Sequence, residues 1–268
     1  MKTKALRFSY GLLIAMTLAY VTLPSVVVVI TAFSDKALLM FPPTGFSLRW
    51  FERAITYDDF RKGFVNGAIV TAWASTIALI FGTLAAFAIE RYEFAGRRLL
   101  ESVLLSPLVI PHFTLGIAML ILASEVSLSR TYTLVVICHV ILVLPFVMRS
   151  VYVSLKNIDP ALERAAASLG ASPLTVFLRI DLPLLAPGLA GGWLFAAILS
   201  FNEFTATLFV TGQRTQTLPV AMYTYVREYA DPTMAALSSL LIAATVIFLI
   251  VANRWLGLER ILSIEASH

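Results

Sequence analysis

The stretch that decides the fold runs from Asp159 to Pro183 and reads DPALERAAASLGASPLTVFLRIDLP. It is far less apolar than the long runs on either side of it, and it predicts two short helices joined by a bend. Asp159 can cap the first helix, with Pro160 at its first position, and Ser172-Pro173 repeats this arrangement for the second helix. Gly170 can supply the turn between the two helices because glycine tolerates a positive φ.

Each of the two helices has a small or apolar face at helical spacing. On the first helix this face holds Leu162, Ala165, Ala166 and Leu169, and on the second it holds Leu174, Phe177 and Leu178. An exposed face of small residues beside a basic one suits docking to a partner protein.

Ala165-Ala166, Gly170 and the run Ile180-x-Leu182-Pro183 together resemble the EAA loop of ABC-importer permease subunits. In that family the loop is a cytoplasmic coupling helix, which sits in a cleft of the ATPase subunit and transmits nucleotide-driven closure to the membrane helices. The resemblance therefore implies that an ATPase contact is made by Leu162, Glu163, Arg164, Ala165, Ala166, Leu169, Gly170, Ala171 and Ser172.

The chain departs from the family pattern at one position of this loop. The family's glutamate lies six residues before the glycine, where this chain has Arg164, and the nearest acid, Glu163, lies one position earlier. A shift of one residue turns a side chain by about 100° around the helix axis. Two interpretations of Glu163 stay open, namely a docking contact or stabilisation of the N-terminal end of its own helix.

The composition is that of a membrane protein, since 59% of the 268 residues are hydrophobic and only 13% are charged. The formal charge of +4 does not indicate a nucleic-acid partner, because cationic residues commonly flank apolar spans. Cys138 is the single cysteine, which excludes an internal disulfide and a cysteine-clustered metal site.

A bilayer core of about 30 Å needs roughly 20 apolar residues per helix. The sequence offers six such runs, near residues 8–33, 64–89, 99–123, 131–153, 184–210 and 233–255. We therefore predict an all-α membrane protein of six transmembrane helices with a cytoplasmic coupling loop, residues 159–183, between helices 4 and 5. The predicted divisions are an N-terminal helix with an extracytoplasmic loop (1–63), a permease core (64–256) and a cytoplasmic tail (257–268).

Basic residues predict the orientation, because cytoplasmic segments of membrane proteins are enriched in lysine and arginine. Most of them fall on one predicted side: Lys2, Lys4, Arg7, Arg91, Arg97, Arg98, Arg149, Lys156, Arg164, Arg179, Arg254 and Arg260. This places both termini and the coupling loop in the cytoplasm. On the other side, the loop of residues 34–63 is predicted to carry a short interfacial helix with Trp50 and Phe51 at the headgroup level.

The fifth run carries Glu203 within SFNEFTATLFVTG. A carboxylate at membrane depth costs roughly 2.5 to 3.5 kcal/mol on insertion scales. Ser200, Glu203 and Thr207 would share one face of a continuous helix, and a polar stripe there marks a bundle interior or a solute route. These three residues and Asn202 are candidates for the substrate pathway.

The third run is interrupted by Pro107 and Pro111, which predict a kink or a part of the pathway. His112 follows the second proline and is a further pathway candidate, although a hydrogen bond to a freed carbonyl is the favoured interpretation. His139 has no acidic neighbour in the sequence and is interpreted as a satisfied interior histidine.

Motifs for chemistry are missing from the sequence: there is no P-loop, no pair of histidines flanking a glutamate in the metalloprotease pattern and no G-x-S-x-G turn. We therefore predict no catalytic residue, no metal and no cofactor on this chain. ATP and Mg²⁺ would be bound by a partner ATPase. An intramembrane enzyme built from scattered residues such as Ser106, His112 and His139 is strongly disfavoured.

The resemblance implies an ABC-importer permease of the bacterial inner membrane that forms half of a translocation pathway. Its partners would be a second permease subunit, two ATPase subunits, an extracytoplasmic solute-binding protein and membrane lipid. The run from Leu199 to Leu218 looks most like the spermidine/putrescine branch, whose members often carry paired acids where this chain has Asn202-Glu203. The alternatives are an amino-acid-like or phosphonate solute, ferric ion or thiamine, and, in a different class, a proton-coupled secondary transporter.

Overall fold

The computed structural model describes residues 2–38 and 40–256, and the regular structure in these ranges is helical apart from one isolated β-bridge. The predicted all-α class is confirmed. The tail 257–268 and the side chains of residues 2–8, 248, 249 and 251–256 lie outside the described part. The helices are α1 (Lys2–Ala32), α2 (Arg49–Thr56), α3 (Asp58–Arg91), α4 (Arg97–Leu105), α5 (His112–Glu125), α6 (Tyr132–Lys156), α7 (Pro160–Ser168), α8 (Pro173–Val176), α9 (Leu182–Asn202), α10 (Thr207–Val210), α11 (Leu218–Glu228) and α12 (Thr233–Leu256).

Four stretches of described helix are long and apolar enough to cross a membrane. They are Ser9–Ala32, Asp58–Arg91, Tyr132–Lys156 and Pro173–Asn202. The last of these joins α8 to α9 through a π-helical turn, Phe177–Asp181. The bent pair α4 and α5 makes a fifth if it is counted as one span, and α12 contributes a shorter apolar stretch, Thr233–Ile247. The count of six stays a prediction.

The third predicted span is two helices rather than one kinked helix. The segment Arg97–Leu108, which ends in a 3₁₀ turn at Ser106–Leu108, meets α5 at an angle of 105°. Pro111 precedes α5 in an extended conformation, with ψ of 132°. Because proline lacks an N–H and restricts the residue before it, the two helices cannot join across this point.

The fifth predicted span also ends earlier than expected. Helix α9 stops at Asn202, and Glu203 is extended, with ψ of 122°. The Glu203 side chain then accepts a hydrogen bond from the backbone N–H of Ala206 at 2.7 Å, just before α10 begins. Ser200, Glu203 and Thr207 therefore do not share one helix face, because the helix is interrupted between them.

The chain divides into two compact units, of which one is formed by residues 62–221. Helix α6 lies at the centre of this unit and packs along α9, with a core that includes Val143, Val147, Val151, Leu185 and Ala196. Close backbone approach occurs at Gly116 of α5, where an added Cβ would lie 2.7 Å from the carbonyl oxygen of Ala206. Glycine at this position lets α5 lie against the interrupted segment after α9.

The other unit is formed by the residues up to Arg61 and from Met222 onward. Here α12 packs against α1 and α2. The predicted helix around Trp50 exists as α2, but Trp50 is 5% exposed rather than at an outer surface. Its Nε1–H donates to the carbonyl oxygen of Ser34 at 2.7 Å, and this bond holds the ring inside the unit.

Candidate functional site

A cavity of about 60 Å³ lies between α5, α6 and α9 in the unit of residues 62–221. One part of its wall is apolar and the other part is polar. The apolar residues are Leu142, Val143, Phe146 and Leu199, and the polar residues are His112, His139, Ser200 and Glu203. A cavity of this size holds one or a few water molecules, or a single small head group.

Glu203 is the acidic group of the cavity, and its side chain is 11% exposed. Its Oε2 lies 2.9 Å from Nδ1 of His112, while its Oε1 accepts the Ala206 N–H. His112 is the first residue of α5, so the carboxylate also lies at a helix N-terminal end, where the helix dipole favours negative charge. The interruption of α9 thus places the carboxylate where three features of the fold stabilise its charge.

His139 of α6 joins the two sides of the interruption. Its Nδ1 lies 2.8 Å from the Ser200 hydroxyl on α9, and its Nε2 lies 2.8 Å from the Thr207 hydroxyl on α10. A neutral imidazole donates from one nitrogen and accepts at the other, and each hydroxyl can take either role. The interpretation of His139 as a satisfied interior histidine agrees with these contacts and with its 1% exposure.

The structure brings together most of the predicted pathway candidates. Ser200, Glu203 and His112 line the cavity, and Thr207 lies next to it through His139. Asn202 does not line the cavity, because its amide donates to the Ile198 carbonyl within α9. The favoured interpretation of His112 was wrong, since this side chain contacts a carboxylate and not a freed carbonyl.

The coupling loop forms the two predicted helices with the predicted caps. Asp159 Oδ1 accepts the Ala161 N–H at 2.8 Å, and Ser172 Oγ accepts the Thr175 N–H at 3.3 Å. Gly170 has a φ of +83°, which favours glycine over any residue with a Cβ. Local sequence rules therefore describe α7, the turn and α8 correctly.

A row of exposed leucines follows this loop. Its members are Leu162, Leu169, Leu174 and Leu178, of which Leu169 is 89% exposed. Phe177 does not belong to the row as the sequence suggested, because its ring packs against Phe87 of α3 at 5.2 Å between centroids. The π-helical turn from Phe177 to Asp181 has a wider repeat than an α-helix, which changes the face on which each side chain lies.

Glu163 makes a contact that neither open interpretation included. Its carboxylate forms an ion pair with the guanidinium of Arg91, the last residue of α3. Asp181, at the end of the π-helical turn, lies near both charged groups. Arg164 is exposed to solvent. No spacing rule could find this cluster, because its members are far apart in the sequence.

Within the described residues, no group of three or more histidine, cysteine, aspartate or glutamate side chains is arranged to hold a metal ion. The polar clusters of the unit are pairs and triads joined by hydrogen bonds and ion pairs.

Comparison with known proteins supports this description. The profile of the family described as binding-protein-dependent transport system inner membrane component matches residues 78–257, which include the cavity and the coupling loop. The chain belongs to this family. It is a permease subunit of an ABC importer and a multi-pass membrane protein.

Curated relatives of this permease cover most of its length. It is 27% identical over 235 residues to the spermidine/putrescine transport system permease protein PotC of Escherichia coli K12, a match that spans 88% of this chain and 89% of the relative. It is 30% identical over 240 residues to the putrescine transport system permease protein PotI of the same strain, across 87% and 84% of the two chains. These matches confirm the predicted resemblance to polyamine-type permeases.

Solved structures share the fold of the permease. A chain from a bacterial ABC transporter that imports the acidic polysaccharide alginate superposes with a TM-score of 0.72 at 16% identity, covering 95% of this permease and 98% of that chain. A chain of the MetNI methionine ABC transporter gives a TM-score of 0.59 at 19% identity, with coverage of 78% and 96%. At these identities the likeness concerns the fold alone.

Proposed function

We propose that this permease forms half of a translocation pathway for a small organic cation of the polyamine type. The observation that carries the proposal is the nearly buried carboxylate of Glu203 in a cavity whose remaining wall is largely apolar. The similarity to PotC and PotI over most of the chain supports the same substrate class.

The charges around the cavity favour a solute that presents one ammonium group to this chain. Glu203 is the acidic residue of the cavity wall, and His112 is its neighbour at hydrogen-bond distance. Apolar side chains such as Leu142 and Phe146 suit the methylene part of an aliphatic amine. A carboxylate in such surroundings is costly unless a cation or hydrogen bonds accompany it, and an ammonium group could take the place of the His112 imidazole beside Glu203.

The driving force would come from partner subunits. We propose that an ATPase subunit docks on the exposed leucine row of the 159–183 loop, whose side chains are 47–89% exposed among the residues that the structure describes. The assembled importer would hold a second permease subunit, two ATPase subunits that bind ATP and Mg²⁺, and a binding protein that delivers the solute from outside. Both termini and the loop would then lie in the cytoplasm.

The test is an uptake assay on the importer assembled with its cognate ATPase, permease partner and binding protein. Labelled putrescine and spermidine would enter ATP-loaded vesicles, and unlabelled thiamine, ferric ion and amino acids would compete weakly. Glu203→Gln should lower polyamine uptake roughly tenfold or more, because it removes the charge that pairs with the ammonium group.

Glu125→Gln is the matched control for this variant, since Glu125 is an exposed acid at the end of α5. The amount of assembled importer is measured in parallel for both variants. Wild-type polyamine uptake by Glu203→Gln, or transport of only a neutral or anionic solute, would contradict the proposed substrate class.

A further inference from the structure

We propose that Arg91 is a positioning residue for the coupling loop, which it ties to the ends of two membrane-spanning helices. The loop cluster of Arg91, Glu163 and Asp181 joins the C-terminal end of α3, the first half of α7 and the residue just before α9. This inference rests on the proposed docking of an ATPase on the loop.

The ion pair is shielded from solvent on both sides. The side chain of Arg91 is 20% exposed and that of Glu163 is 26% exposed. Pairs in such partly buried positions are screened less by salt than pairs at an open surface. The ion pair of Arg91 with Glu163 is therefore weakened less by salt than an ion pair at an open surface would be.

Asp181 makes the cluster asymmetric in charge. This residue is 5% exposed, and its carboxylate lies near both Glu163 and Arg91. One guanidinium thus lies near two carboxylates and offsets half of their charge. Without it, two carboxylates would face each other in a region of low exposure, and the repulsion would move α7 away from the start of α9.

Apart from the ion pair, few side-chain contacts hold α7 in place. No residue of α7 is buried, so apolar contact contributes little to the position of this helix. At its C-terminal end α7 passes into a turn at Gly170, whose φ of +83° lies outside the range of helical residues. The side-chain tether to α3 is therefore the firm connection of the first half of α7.

Movement of the 159–183 loop would reach the membrane-spanning helices α9 and α3 by different routes. An ATPase that displaces the leucine row would move α9 through the continuous chain of α8 and the π-helical turn. It would move α3 through two contacts, the packing of Phe177 against Phe87 and the ion pair of Glu163 with Arg91. With the ion pair broken, movement of α7 would no longer reach the end of α3 directly, and α3 would follow α9 less closely.

The decisive measurement is the number of solute molecules imported per ATP hydrolysed by the assembled importer. Arg91→Gln should bind the ATPase subunit and hydrolyse ATP while this ratio falls roughly tenfold, a size common for coupling between sites. The double variant Arg91→Gln with Glu163→Gln should assemble at the wild-type level and keep the low ratio, because the net charge of the cluster returns to that of the wild type but the tether is still missing.

Exchanging the charges of residues 91 and 163 tests whether Arg91 positions the loop or only stabilises the fold. The double variant Arg91→Glu with Glu163→Arg keeps one cation between two carboxylates and should recover most of the ratio. Arg98→Gln is the matched control, since Arg98 is an exposed arginine near the same end of the unit, and it should leave the ratio unchanged.

Two results would overturn the inference. One is a wild-type ratio in the neutral double variant, which remains the decisive measurement even if Arg91→Gln alone fails to assemble. The other is a charge-exchanged variant that assembles but imports as little solute per ATP as the variant with both residues changed to glutamine. Leu169→Glu distinguishes failure of the proposed function: if the ATPase stays bound to that variant, the docking proposal itself is wrong, whatever Arg91 does.

Discussion

The cavity cluster and the loop cluster both place an acidic side chain against a nitrogen base, but the bases differ. In the cavity cluster, formed by Glu203, His112, His139, Ser200 and Thr207, the acid contacts a histidine. In the loop cluster Glu163 forms an ion pair with Arg91, and Asp181 lies near both groups. A guanidinium keeps its charge at every physiological pH and can bond more than one carboxylate oxygen, whereas an imidazole offers a single nitrogen to its partner.

Because of this difference, a solute can replace the base in the cavity cluster, whereas the ion pair of the loop cluster is fixed. A solute cation can take the place of an imidazole beside a carboxylate, so the cavity cluster suits reversible binding. An arginine between two carboxylates suits a permanent connection between helices. Variants that affect one cluster and spare the other test this division.

The largest effect is expected at the exposed leucine row. Leu169→Glu places a charge on the most exposed leucine of the loop, and it should reduce recovery of the ATPase subunit with the permease by about tenfold or more, as for a central interface residue. Co-purification measures this loss. Ser168→Glu adds the same charge to the neighbouring position outside the row and should bind normally. Equal recovery from both variants would place the ATPase contact elsewhere.

A second effect is expected at the close approach of α5 to the segment after α9. Gly116→Val would place a Cβ 2.7 Å from the Ala206 carbonyl oxygen, so the backbone around the cavity cluster must shift. We expect a loss of about 1–3 kcal/mol in stability, typical of overpacking, together with impaired uptake and intact ATPase binding.

The control for this change is Gly191→Ala, because no atom lies within 4 Å of a Cβ built at Gly191. Thermal unfolding of the purified permease in detergent compares the two variants. If Gly116→Val unfolds at the same temperature as Gly191→Ala, the close approach does not constrain this part of the fold.

The smallest effect is expected at His112, whose Nδ1 lies 2.9 Å from Oε2 of Glu203. His112→Asn keeps a hydrogen-bonding side chain but shortens it, so a solute cation would meet less competition for the carboxylate and its half-saturating concentration should fall severalfold. His139→Gln, which changes the facing side of the cavity, serves as the comparison. An unchanged half-saturating concentration in His112→Asn would show that the imidazole and the solute do not compete.

The sequence predicts the parts of this permease that depend on neighbouring residues. The caps at Asp159 and Ser172 and the positive φ of Gly170 follow from residue types within one turn of helix. The apolar runs likewise predict α1, α3 and α6 closely, since bilayer thickness fixes their length.

The parts that depend on distant residues could not be predicted in the same way. Glu203 and His112 are 91 residues apart, and their pairing required both the 105° bend before α5 and the early end of α9. The end of α9 is not marked by proline or glycine; a side-chain hydrogen bond to Ala206 stabilises it instead. The ion pair between Arg91 and Glu163 joins two segments whose spacing in the sequence carries no signal.

The exposed leucine row would also affect how long an unassembled copy of the permease persists in the cell. A copy of the permease made without its ATPase would present Leu162, Leu169, Leu174 and Leu178 to water. Exposed apolar segments are what chaperones and quality-control proteases bind. The surface that assembles the importer would thus also mark unassembled copies for removal, which would keep the numbers of the two subunits matched.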